Sequence, residues 1–252
     1  MSGAWESGAV PPTEPSPRGG SAHEDGFPVR AVVLDVNETL SDFAPLRRRF
    51  EDAGAPGELM PLWFAGVLRD GFALTAAGGY AHFADLARDG LRALLARTGD
   101  PPGDVDGAAE HVLGGLAHLE VHPDVPEGVR VLKEAGHRLV TMTNGDARLT
   151  EGLLERAGIR GQFDAVLDVS GPRRWKPAPE AYHYAVRSVD VRPGEALMAA
   201  VHPWDVDGAR RAGLRGAWLR RGSVHYPAAM SQPARVAEDL ADLARSLPGP
   251  AA

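Results

Sequence analysis

The chain contains no cysteine. Disulfides and thiolate metal sites are thereby excluded, and a reducing compartment suits the composition. No stretch approaches the roughly 18 uninterrupted apolar residues that a membrane span needs. The first residues lack a basic start followed by an apolar segment, so no secretory signal is read and a cytoplasmic protein is expected. Long Lys/Arg runs are also missing. With 27 Lys+Arg against 34 Asp+Glu the formal net charge is −7, and nucleic acid is not an expected partner. No internal repeat is visible. What remains, 44% hydrophobic over 252 residues, is ordinary globular material, enough for one large domain or a core with an inserted cap.

Residues 1–28 hold Pro11, Pro12, Pro15 and Pro17 among Gly and Ser, without apolar period. They read as a disordered tail. The chain then centres on Arg30-Ala-Val-Val-Leu-Asp35-Val-Asn-Glu-Thr39-Leu. Its four apolar residues, Ala31 to Leu34, suit a strand buried on both faces.

After Asp35 the pattern turns helical and stays so to about residue 118. Leu46, Phe50 and Ala53 have helix spacing, with Gly54 as the stop. Further helices are expected over residues 59–74, 80–97 and 105–119. Four helices before any second strand predict an inserted helical cap over 41–119, with the core in 29–40 and 120–252. From about residue 123 strand and helix alternate. Strands are expected at 138–143, 163–169, 195–201 and 215–219. Helices are expected at 126–135, from Asp146 to Gly158, at 178–188, at 205–212 and at 236–246. Such alternation means an α/β fold with a parallel sheet and helices on both faces.

In an open parallel sheet, ligands bind outside the carboxyl ends of the strands. Polar groups stand after four of them: Asp35, Asn37 and Thr39, then Thr143, Asn144 and Gly145, then Lys176, then His202 and Asp205. Singly, each has a plain structural reading as a turn, a solvated lysine or a helix cap. Jointly they make a coherent set. Asp35 is placed to attack, and Thr39 can turn back to hydrogen-bond it. Thr143, Asn144 and Lys176 can hold an anionic substrate, and Asp205 can orient Lys176 or a water.

These pieces resemble the haloacid dehalogenase superfamily, and within it the L-2-haloacid dehalogenase (type II) branch. The resemblance spans about residues 30–222. It rests on Leu34-Asp35-Val-Asn-Glu-Thr39-Leu40, on Thr143-Asn144-Gly145, on Lys176-Pro177 with Tyr182 six residues on, and on Trp204-Asp205-Val-Asp-Gly-Ala-Arg. It implies a Rossmann-like core with a helical cap. It also implies an aspartyl-ester intermediate on Asp35, hydrolysed by an activated water, and a small anionic substrate. Related dehalogenases are often dimers, so a homodimer is an expectation.

Several positions depart from the family pattern. Phosphatases of the superfamily carry a second Asp two residues after the nucleophile, as general acid. Here that residue is Asn37, and a neutral amide cannot protonate a leaving group. Halide needs no proton to leave, although dehalogenases commonly have Tyr there. Four residues before Asp205 stands Val201, which cannot ligate a metal, so no cofactor is expected. If Mg²⁺ binds, Asp35, Asn37 and Asp205 are the ligands left to hold it. The family's cap arginine follows a Leu-Trp pair; here Leu62-Trp63 is followed by Phe64, and Arg69 comes five residues later. Ala200 and His202 replace a small hydroxyl residue and an Asn ahead of the Trp-Asp pair.

Phe64 and Trp204 are expected to line the substrate cavity and Trp63 to sit in the core, while Trp175 suits either place. The resemblance implies that Tyr182 reaches the site, and packing beside Tyr184 on an amphipathic helix is its other reading. His202 either assists the water or holds a substrate carboxylate, or is a turn histidine. The expected activity is hydrolytic dehalogenation of a small 2-haloacid. A Mg²⁺-dependent phosphatase or phosphonatase is the alternative enzyme. A catalytically idle fold serving as a binding module is the rival from another class.

Overall fold

The computed structural model describes residues 28–99 and 101–250, so the expected tail lies, but for Pro28, outside the described residues. At the centre is β1, Ala31–Leu34, buried at every position. It is flanked by β2 (Arg138–Thr143) and β4 (Ala196–Ala200), and beyond them lie β3 (Ala165–Asp168), β5 (Arg215–Leu219) and β6 (Arg235–Ala237). The sheet order is β3-β2-β1-β4-β5-β6, and every pairing is parallel. The chain builds outward from β1 to β3, then crosses back to place β4 on the other side of β1. That reversal opens a crevice at the carboxyl ends of β1 and β4. The ladder continues past β1, since Asp35 N–H donates to the Ala199 carbonyl at 3.1 Å.

Successive strand residues point to opposite faces. Ala31 and Val33 join the core beneath α1 (Leu46–Asp52), α2 (Leu59–Ala76), α3 (Phe83–Leu95) and α4 (Val105–Gly114). Val32 and Leu34 join the opposite core, with α5 (Val125–Glu134), α6 (Ala147–Arg156) and α9 (Leu240–Ser246). The helices α7 (Pro179–Ser188) and α8 (Pro203–Arg211) pack on the first face. By the same alternation Asp35 projects toward the face that α1–α4 cover.

The segment carrying α1–α4 leaves and returns through a paired stem. His122 N–H donates to Leu40 O and Asp42 N–H to Glu120 O, each at 2.9 Å, with an antiparallel bridge between Ser41 and Val121. A second fastening lies at Trp175, which is wholly buried. Its indole stacks on Phe83 and donates to the Ala81 carbonyl at 3.0 Å, while its backbone N–H donates to Thr75 Oγ1. A methyl group at Gly71 would come within 2.3 Å of that indole, so only glycine permits the approach. Trp175 is thus a core residue that ties α2 and α3 to the loop carrying Lys176.

Some element expectations need correction. A sixth strand, β6, stands where a helix was expected to begin at 236, and α9 starts at Leu240, capped by Asp239. The strand has three residues, and Val236 is exposed. Its identity comes from pairing with β5 and has no local apolar signal. The third helix starts at Phe83 rather than at 80, and the fourth ends in a 3-10 turn over Gly115–His118. The eighth begins at Pro203, with His202 at its N-cap position, so Asp205 lies inside its first turn.

Two histidines make stability sensitive to acid. His137 is buried and its Nδ1 faces the Val29 carbonyl at 3.0 Å. A carbonyl only accepts, so Nδ1 carries the proton, and Nε2 is a buried lone pair without a partner among the described residues. Burial lowers the pKa of His137, and burial with the nearby Arg221 charge lowers that of His122. The unfolded chain therefore binds protons that the fold refuses. Stability should be complete above the unfolded histidine value, about pH 6.5, and decline as the pH falls below it. Urea unfolding between pH 8 and pH 5 should show this fall, and His137→Gln should flatten it; an unchanged slope would dismiss His137 as its source.

Candidate active site

Four strand ends converge in the crevice. Asp35, following β1, is almost wholly buried. Its Oδ2 accepts from Thr39 Oγ1 at 2.6 Å and its Oδ1 from Lys176 Nζ at 2.8 Å. The loop turns back tightly, since the N–H groups of Thr39, Leu40 and Ser41 all donate to Val36 O. Thr39 Oγ1 also accepts from Val201 N–H at 3.2 Å, which leaves its proton for Asp35.

Lys176 has no exposure to solvent. Its ammonium also donates to Asp205 Oδ2 at 2.6 Å. Asp205 is equally buried, and its Oδ1 accepts from Tyr182 Oη at 2.7 Å. Asn144 holds the lysine's backbone with both ends of its amide: Oδ1 accepts from Lys176 N–H at 2.8 Å and Nδ2 donates to Lys176 O at 3.1 Å.

Burial pushes both carboxyls toward the neutral form. At Asp35 the Lys176 and His202 charges, with hydrogen bonds from Lys176 and Thr39, outweigh burial and hold its pKa below the usual carboxylate range. At Asp205 burial prevails, helped by the negative charge of Asp35, and its pKa is raised. Burial works against the Lys176 charge, but the two carboxylates raise its pKa nonetheless. Burial and Asp205 place Tyr182 well above the ordinary phenol. The cluster therefore holds an ionised Asp35 against a permanent cation.

The remaining expected residues fall into two groups. Thr143 is buried with its hydroxyl accepting from Gly145 N–H at 2.9 Å. Asn37 stands beside that turn, for a methyl at Gly145 would lie 3.1 Å from both the Asn37 amide and the Thr143 hydroxyl. A cavity of about 30 Å³ borders Asn37, Ser41, Phe83, Gly145, Asp146 and Thr150, large enough for a water or two. On the opposite side, His202 Nε2 lies 3.2 Å from Asn37 O, 3.8 Å from Asp35 Oδ2 and 3.6 Å from Glu38 Oε2. Its ring stacks on Trp204, with centroids 5.1 Å apart, and Phe64 packs at 6.3 Å. Lys176 Nζ lies 5.9 Å from the Trp204 ring. Phe64 is buried against Phe43, Trp63 is a core residue bonded to Ala87 O, and Arg69 points outward to pair with Asp70.

Asn144 spends both ends of its amide on the Lys176 backbone, and the Thr143 hydroxyl accepts from its own turn. Gly208, within the quoted Trp-Asp motif, and Arg221, which the sequence did not single out, also shape the site. A methyl at Gly208 would stand 2.6 Å from Tyr182 Oη and 2.4 Å from Pro177 Cβ. Arg221, two residues past β5, donates to Thr39 O and pairs with Asp124. Its place at the carboxyl end of a fifth strand was the signal that could have found it.

The donor set does not suit a divalent cation. Both Asp205 oxygens are engaged by Lys176 and Tyr182, and the ammonium occupies the space between Asp205 and Asp35. Among the described residues no group of three or more His, Asp or Glu is arranged to hold a metal.

The close approach at Gly208 is testable. Gly208→Ala should displace Tyr182 from Asp205 and lower unfolding stability by about 1–3 kcal/mol, the usual range for overpacking. Chemical denaturation of the variant would measure it, and wild-type stability would mean that the contact yields freely.

A family model for haloacid dehalogenase-like hydrolases matches residues 29–213. The (S)-2-haloacid dehalogenase 1 of Pseudomonas sp. (strain CBS-3) is 28% identical over 202 residues, covering 77% of this chain and 86% of that protein. The haloacetate dehalogenase H-2 of Moraxella sp. (strain B) is 25% identical over 196 residues, with coverage of 77% and 86%. The crystal structure of an L-2-haloacid dehalogenase superposes with a TM-score of 0.81 at 30% identity, covering 87% of this chain and 99% of its own. The family model spans most of the chain and the solved dehalogenase shares its fold, and the chain belongs to the haloacid dehalogenase-like hydrolase family.

Proposed function

We propose that this hydrolase cleaves the carbon–halogen bond of a small 2-haloacid through an ester on Asp35. The observation that carries the reading is a buried Asp35 kept ionised by Lys176 and Thr39 beside Asn37, which cannot donate a proton to a leaving group. The names of the relatives, 2-haloacid and haloacetate dehalogenases, support the substrate class.

In this reading an Asp35 oxygen attacks the halogen-bearing carbon. A carbon–oxygen bond forms, and the halide leaves with the bonding pair and needs no proton. Water then adds to Asp35 Cγ, the ester bond breaks, and the 2-hydroxy acid departs with a proton from that water. The second water proton passes to solvent, and Asp35 returns to a carboxylate.

Lys176 neutralises Asp35 before attack and stabilises charge on its oxygens during hydrolysis. Asp205 and Tyr182 hold the ammonium in place. His202 and Asn37 flank the reacting carboxylate and meet the substrate or the water. The helical segment over 41–119 acts as a cap, and its Phe64 faces the core's His202 and Trp204 across an apolar wall. No metal or other cofactor is needed for these steps.

Intact-protein mass spectrometry after brief exposure to 2-chloropropionate, with halide release measured in parallel, tests the reading. A transient adduct on Asp35 is expected, unaffected by EDTA. Asp35→Asn should abolish halide release, and turnover while residue 35 is still Asn would end the covalent proposal. Lys176→Met removes the main charge holding Asp35 ionised. The acid limb of the rate profile should then move to higher pH, and an unmoved limb would remove Lys176 from that role.

A further inference from the structure

We infer that Arg221, braced by Asp124, is a positioning residue that holds Thr39 on the Asp35 carboxylate. This rests on the proposed role of Asp35 and deepens it. The loop after β1 contains Glu38 at φ 63°, a left-handed conformation that a non-glycine residue keeps only with outside support. Four successive carbonyls of the loop receive that support. Asn37 O faces His202 Nε2 at 3.2 Å, and Glu38 O faces His122 Nε2 at 3.1 Å. Leu40 O accepts from His122 N–H at 2.9 Å.

The carbonyl between them, Thr39 O, accepts from two guanidinium nitrogens of Arg221, Nε at 3.1 Å and Nη2 at 2.8 Å. The fork also pairs with Asp124, Nη1 to Oδ1 at 2.7 Å and Nη2 to Oδ2 at 3.1 Å. Asp124 is fixed in turn, because its Oδ2 accepts from Leu240 N–H at 2.9 Å at the start of α9.

One residue, Thr39, is thereby held at both ends. Its carbonyl is gripped by Arg221 and its hydroxyl, 2.6 Å from Asp35 Oδ2, orients the carboxylate. Both ion-pair partners are largely shielded from water. A guanidinium bonded to a carbonyl and a carboxylate at once has a fixed plane, so it sets the position of the Thr39 backbone and not merely its local charge. Arg221 touches neither Asp35 nor the cavity. It acts on the reacting carboxylate through Thr39.

The test compares Arg221→Gln, Arg221→Lys and Asp124→Asn in the full chain, using halide release from 2-chloropropionate and a crystal structure of Arg221→Gln. Misplacement of a reacting group is expected to lower kcat by about 10- to 100-fold in Arg221→Gln with little change in KM. Arg221→Lys should recover only part of the loss, because an ammonium cannot span both acceptors. Asp124→Asn should give a smaller loss of the same kind. Guanidinium ion added to Arg221→Ala should restore rate. In the crystal, Thr39 Oγ1 should move beyond hydrogen-bonding distance of Asp35 Oδ2, past about 3.5 Å.

A lower melting temperature with unchanged kcat, or a Thr39–Asp35 contact that survives in Arg221→Gln, would reduce Arg221 to a structural brace and overturn the inference. Wild-type protein that releases no halide while the Thr39 contact is lost in the variant would instead overturn the dehalogenase reading and leave the positioning role standing.

Discussion

A lysine ammonium without access to water, set between two carboxylates, is the interaction on which the rest of the site depends. Moving any of these charges alone into the interior would cost several kcal/mol, and breaking such a pair by removing one partner typically costs about 3–5 kcal/mol. The cluster is tolerable because every member is met. Lys176 donates to Asp35 and Asp205, Tyr182 donates to Asp205, and Thr39 donates to Asp35. One cation between two anions also separates their behaviour, with Asp35 held ionised and Asp205 drawn toward its neutral form.

Such a cluster tolerates little slack, and the backbone around it is fastened accordingly. Asn144 fixes the Lys176 peptide, Trp175 seats that loop under α2 and α3, and the bare backbone at Gly71 and Gly208 lets the large rings approach. The loop after β1 carries Glu38 in a left-handed conformation, and contacts from three other parts of the chain hold its carbonyls. The helical segment is bound to the core both by its paired stem and by Trp175. Any motion that admits substrate must therefore work around two attachments rather than one hinge.

The central strand, the run of helices after it and the strand–helix alternation were legible in the sequence because they follow from burial. A strand covered on both faces must be apolar throughout, and a helix against a core must repeat its apolar residues with helical period. Asp35, Lys176 and Asp205 were legible because polar residues stood after buried strands, where a parallel sheet gathers its loops; Tyr182, inside α7, entered only through the family resemblance. β6 was not legible: three residues with an exposed valine become a strand only by pairing with β5. Asn144 and Thr143 were found at the site, but a Thr-Asn-Gly turn does not disclose whether its side chains face a ligand or their own backbone. Arg221 and Asp124 were missed because their meeting spans 97 residues of chain, and each alone looks like a surface charge.

The sequence by itself determined the order of elements as far as β5, the parallel character of the sheet, the absence of thiol chemistry and the identity of the groups at four strand ends. Those are properties of residue type and spacing, which local burial and backbone geometry read directly. Only the tertiary structure decided which oxygen of Asp35 meets Lys176 and which meets Thr39, that Asn144 serves the lysine's backbone, and that His202 stands near Asp35 without bonding it. It also decided that Arg221 reaches the loop after β1. Hydrogen bonds and ion pairs depend on distances of a few tenths of an ångström and on direction. Those distances exist only once the loops from separate strands have been brought to the same crevice.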